Sequence, residues 1–93
     1  MDEGAPLVRY FALVDASGEL SAAYGIFREI QTKDRYSLQR LDSKDPDRWV
    51  SDPSLVEYTI RGEPGALEIT EDQARRLVER LGGRLSTGIE FPS

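Results

Sequence analysis

The sequence predicts an α+β fold: an antiparallel meander of about three strands with two helices packed on one face. Three observations carry this expectation. Residues 7–41 hold strand-length apolar runs separated by polar turns. A capping box opens an amphipathic segment at Thr70, and an Asp-Pro helix start stands at Asp52.

Leu7–Val14 is rich in β-branched and aromatic residues and interrupted only by Arg9, as expected of a strand buried on both faces. Asp15-Ala16-Ser17-Gly18 reads as a turn. The chain then returns through Leu20, Ala22, Tyr24, Ile26 and Ile30 at every second position, with Phe27 on the opposite face. This predicts a long hairpin, in which Gly25 marks a bulge or a close backbone approach. A polar turn at residues 31–35 precedes a third strand, Tyr36–Leu41, whose mixed polarity suits a sheet wet on one side or a sheet edge. Residues 42–48 form the most polar stretch and are expected as an exposed loop, with Trp49 folding back onto the core.

Asp52-Pro53 starts a predicted helix that places Leu55, Val56, Thr59 and Ile60 on one face, with Gly62 ending it. A strand is the rival reading, since Val56, Tyr58 and Ile60 also alternate. Thr70 and Gln73 form the capping box of the second helix. Its stripe is Ala74, Leu77, Val78 and Leu81, and Gly82-Gly83 stop it. Its outer face carries the pairs Glu71→Arg75 and Asp72→Arg76. The predicted core is Phe11, Leu13, Tyr24, Ile26, Leu38, Leu55, Val56, Ile60, Leu77, Val78 and Leu81.

Ninety-three residues make one small domain, with residues 1–6 and 85–93 expected to fray or, for the C-terminal stretch, to add an edge strand. No apolar run is long enough for a membrane helix. The acidic opening Met1–Pro6 lacks the basic start of a secretory signal, so a cytoplasmic location is the expectation. Net charge is −5, and its distribution argues against a basic face. Residues 1–27 and 49–70 are acidic, while residues 28–48 and 71–84 are close to balanced. Nucleic-acid binders displace counterions from phosphates with collected positive charge, and no sequence block here supplies it.

The chain contains neither Cys nor His. This excludes thiolate and imidazole catalysis, Cys/His zinc sites and disulfides. Asp42, Asp45, Asp47 and Asp52 are the one carboxylate group that suggests a cation. An EF-hand loop counted from Asp42 needs Gly and Glu where Asp47 and Pro53 stand, so a solvated loop is the better reading. Gly62-Glu63-Pro64-Gly65 and Gly82-Gly83 match neither phosphate-binding fingerprint and read as turns and stops. No enzyme activity, cofactor or metal is expected.

Two groups remain. Trp49 and Tyr58 are candidate protein-contact residues, because aromatics are enriched at interaction hot spots; their plainer role is anchoring loop and core. Arg75, Arg76, Arg80 and Arg84 are candidate phosphate contacts for a nucleic-acid accessory role. Acidic neighbours on the same helix favour an ion-paired, solvated face instead. The leading expectation is a small non-catalytic interaction or regulatory module whose partner is another protein or a second copy.

The order Tyr10–Asp15 with Gly18, then Asp52-Pro53-Ser54-Leu55, then Ile69–Ala74 resembles a pattern in small uncharacterised proteins of high-GC bacteria and their phages. It spans about residues 8–82. The resemblance implies a bacterial or phage setting and carries no activity or site residue.

Overall fold

The computed structural model describes residues 6–42, 44–45, 47–62 and 64–85. The α+β class holds, built among the described residues on a sheet of five strands rather than about three. They are β1 (Leu7–Leu13), β2 (Gly25–Gln31), β3 (Tyr36–Leu41), β4 (Trp49–Ser51) and β5 (Ala66–Ile69), all antiparallel in the order β4-β3-β2-β1-β5. Both additional strands lie at sheet edges. Helix α1 (Val56–Thr59) continues a 3-10 turn at Pro53–Leu55, and α2 (Glu71–Arg80) follows β5.

The helices lie on opposite faces of the sheet, which corrects the expectation of one shared face. Tyr10, Ala12, Ile26, Trp49 and Ile69 pack with Ala74, Leu77 and Val78 of α2. Phe11, Phe27 and Leu38 pack with Leu55 below the other helix, flanked by Val56 and Tyr58. Strand alternation dictates this split: β1 sends Tyr10 and Ala12 one way and Phe11 the other, so a strand apolar on both parities needs two covers. The chain provides them in sequence, α1 before β5 and α2 after it.

Two predicted core residues are exposed instead. Residues Leu20–Ala22 form a 3-10 turn and β2 begins only at Gly25, so the alternation read through Tyr24 has no strand beneath it; Tyr24 is 63% exposed. Helix α1 is a single turn that ends before Ile60, which is 72% exposed. At Gly25 the close neighbour is a side chain rather than the expected backbone: a Cβ there would sit 3.0 Å from Leu13 Cδ1 across the β1–β2 pair. Tyr10, Ala12, Phe27, Ile30, Trp49 and Ile69 are buried in addition to the predicted set.

Capping chemistry sets the local boundaries. Asp52 Oδ1 accepts from the Ser54 N–H at 3.2 Å, while Oδ2 accepts from Arg40 Nε at 3.0 Å; one carboxylate thus starts the 3-10 turn and ties it to β3. At α2 the Gln73 N–H donates to Thr70 Oγ1 at 3.1 Å, and the Thr70 N–H donates to Gln73 Oε1 at 2.9 Å. The helix closes where Gly82 turns at φ 95°, with the Gly83 N–H donating to the Val78 carbonyl. Leu85 packs against the α2 side of the core. The expectations for residues 1–5 and 86–93 lie outside the described residues. Among the described residues no helix is long and apolar enough to cross a membrane.

Candidate functional site

The α2 face of the sheet is closed around a buried polar group. Arg28 is fully buried, donates from Nε to Gln39 Oε1 at 2.8 Å, and lays its guanidinium over the Trp49 indole, 4.4 Å from the ring centroid. Tyr10 stands beside the same indole at 6.5 Å, and burial pushes its phenol pKa up. Trp49 is therefore 6% exposed and spent on the core, its plainer expected role.

Tyr58 is also drawn inward. With only one helical turn available, Leu55 and Tyr58 share the inner side at i, i+3, and the Tyr58 ring tilts against Phe27 at 5.8 Å. It is half-buried rather than turned away from the apolar stripe.

The arginines do not assemble a phosphate-binding row. Arg75 pairs with both Glu71 (3.3 Å) and Asp72 (3.2 Å), so Asp72 goes to Arg75 and not to the expected Arg76. Arg80 turns back to the segment before β2. It donates from Nη2 to the Ala23 carbonyl at 2.6 Å and from Nη1 to the Ser21 carbonyl at 3.1 Å. Helix α2 ends at Arg80, so Arg84 lies beyond it, its backbone N–H donating to Asp47 Oδ1 at 2.7 Å. Arg76 lies beside Arg80, Gln73 and Leu77 at a shallow groove.

In the Asp42–Asp47 loop Asp42 and Asp45 spend their carboxylates on local turns, while Asp47 reaches Arg84. Asp42 accepts from the Lys44 N–H and Asp45 from the Asp47 N–H. Among the described residues no three acidic side chains come together in a way that could hold a metal.

The distinctive surface is elsewhere, on the part of the α1 face that α1 leaves uncovered. A hydrogen-bonded diagonal crosses four strands there. Arg9 of β1 holds Glu68 of β5 through two bonds, Nη2 to Oε1 at 2.8 Å and Nε to Oε2 at 3.2 Å. Its Nη1 reaches Glu29 Oε1 of β2 at 3.2 Å. Tyr36 of β3 donates its hydroxyl to the other oxygen of Glu29 at 2.8 Å. The register places Arg9 opposite Glu29, and Leu7, Gln31 and Tyr36 in one adjacent row.

This diagonal is a built feature rather than a chance surface pair. The guanidinium sits 5.1 Å from the Phe11 ring centroid, a cation–π contact at the boundary of the apolar core. Glu29 keeps only 11% of its side chain exposed, whereas Arg9 and Glu68 are about half exposed. Hydrogen bonding to Arg9 lowers the Glu68 carboxyl pKa, and the two carboxylates raise that of the guanidinium. Burial raises the Tyr36 phenol pKa, partly offset by the Thr59 hydroxyl.

Apolar surface adjoins the polar strip. Leu7 is 66% exposed on the same side of β1 as Arg9, and Tyr36 is 46% exposed. Tyr36 also forms one wall of a cavity of about 350 Å³ lined by Leu38, Pro53, Val56, Ser37 and Ser51. The cavity opens where β4 stops at Ser51 and leaves the first half of β3 without a strand beside it.

Sequence reasoning missed this surface. Its signal was a charged residue in the middle of each of two apolar strands, Arg9 and Glu29, of opposite sign. Only the register shows that they meet. No protein family matches the chain, and no curated protein or solved structure does either.

Proposed function

We propose that this chain is a small non-catalytic module that binds another protein through the uncovered end of the α1 face. The observation that carries the reading is the Glu68–Arg9–Glu29–Tyr36 diagonal lying beside exposed Leu7 and the Tyr36 cavity. Arg and Tyr with apolar neighbours make up the composition of protein contact surfaces. Its side chains are already oriented by one another, so binding orders few new rotamers. The α2 arginines favour the nucleic-acid alternative less, since Arg75 and Arg80 are engaged within the fold.

The test is affinity capture of the tagged protein from its native host in the presence of nuclease. Leu7→Asp serves as the surface variant and Glu79→Lys on α2 as the control. A discrete protein retained by wild type and Glu79→Lys but lost from Leu7→Asp is the expected result. Capture that depends on nucleic acid, or is indifferent to Leu7→Asp, refutes the reading.

A further inference from the structure

Resting on that reading, we propose the chemistry of the partner: the surface takes a cationic side chain from a protein segment, with an adjacent apolar side chain entering the Tyr36 cavity. Hydrogen-bond capacity decides the sign. Arg9 has five N–H donors, three of them committed to Glu29 and Glu68. Two donors are left. The four carboxylate oxygens each accept one bond from Arg9 or Tyr36, and each carboxylate retains further lone pairs. The strip is thus richer in acceptors than in donors. One guanidinium against two carboxylates also leaves it with a net charge of −1, on a chain of net charge −5.

A ligand that completes this strip brings donors and positive charge, as a guanidinium or ammonium does. An acidic side chain meets an Arg whose best donors are already taken. The cavity supplies the second element. Its roughly 350 Å³, walled by Tyr36, Leu38, Pro53 and Val56, suits an aliphatic side chain. Because Tyr36 belongs to both the diagonal and the cavity, the two side chains come from alternate positions, i and i+2, of one extended segment, which share a face.

Chemical-shift titration of the ¹⁵N-labelled protein tests this with three capped peptides, Leu-Ser-Arg-Ser-Leu, Leu-Ser-Gln-Ser-Leu and Leu-Ser-Glu-Ser-Leu. The Arg peptide should shift the amides of Arg9, Glu29, Tyr36 and Glu68 saturably, with a dissociation constant on the order of 1 mM. The Gln peptide should bind several-fold more weakly and the Glu peptide should leave these amides unmoved. Glu68→Gln should weaken the Arg peptide about three- to five-fold, in the range of an exposed ion pair. Glu79→Gln, with the same change in net charge on the opposite side of the sheet, should not weaken it.

Equal weakening by both variants reduces the effect to overall charge and overturns the proposal. So does an Arg peptide that fails to move these amides. If the Gln or Glu peptide binds the same amides as tightly as the Arg peptide, the cationic partner is wrong while the docking surface stands. If no peptide touches these amides and Leu7→Asp leaves capture unchanged, the functional reading falls with it.

Discussion

Arg28 shows how a charged residue can belong to a small core. Its neighbours Gln39 and Trp49 are both buried, so the guanidinium meets a side-chain amide and an aromatic face rather than solvent. Arg28→Ala removes the Gln39 contact and opens space beneath the indole. Equilibrium urea unfolding should show a loss of about 3 kcal/mol, the size of a large-to-small core change. A loss below about 1 kcal/mol would mean that the site collapses or hydrates without penalty. Nothing in the sequence distinguishes Arg28 from an edge-facing arginine. Its burial follows from a third strand and α2 closing over it, both of which act at long range.

Glu68 gives a second prediction at the same scale. Its carboxyl pKa is lowered in the folded state by hydrogen bonding to Arg9. Folding is therefore favoured by this pair above the ordinary carboxyl range, and the contribution is lost as pH falls through the lowered value. Both side chains are about half exposed, so the effect is less than about 1 kcal/mol and is screened by salt. Wild type should lose more stability than Glu68→Gln between pH 5 and pH 3 in chemical denaturation, and 1 M salt should narrow the gap. A gap that widens toward low pH would contradict the assignment.

At the scale of elements, legibility tracked how locally each one is determined. The α2 start was readable because Thr70 and Gln73 satisfy each other across three residues, and both bonds are present. Thr70→Ala should lower stability by about 1 kcal/mol, measured by thermal or urea unfolding, while Thr70→Ser should recover most of it. The third strand, Tyr36–Leu41, was readable from its flanking turns and has those bounds. By contrast, β4 and β5 have three and four residues, too few to establish a period. They are strands because β3 and β1 offer edges to pair with. The segment around Tyr24 failed in the opposite direction, for an alternating pattern there persists where the backbone makes a 3-10 turn.

For the whole molecule, the decisive fact is that the two covers are unequal. Helix α2 spans ten residues and packs along its face, whereas among the described residues the other face carries one 3-10 turn and a four-residue helix. The apolar rows through Phe11, Phe27 and Leu38 exhaust that shorter cover. The charged diagonal borders these rows, with Glu68 opposite Phe11 and Glu29 opposite Leu38, and Arg9, Glu29, Glu68 and Tyr36 hydrogen-bond one another along it. This asymmetry was not legible in the sequence, which distributes two helix signals without saying which face each one meets. Of the expected contact residues Trp49 is buried and Tyr58 half-buried, and the proposed contact surface is made of residues that read as ordinary strand positions.

The most direct test of that surface is site-specific photocrosslinking in the native host. A benzophenone amino acid is placed in turn at Leu7, on the open end, and at Glu79, on the outer side of α2. A discrete protein adduct from position 7 and none from position 79 is the result predicted here. Adducts from position 79 alone, or nucleic acid in place of protein at either position, would contradict it.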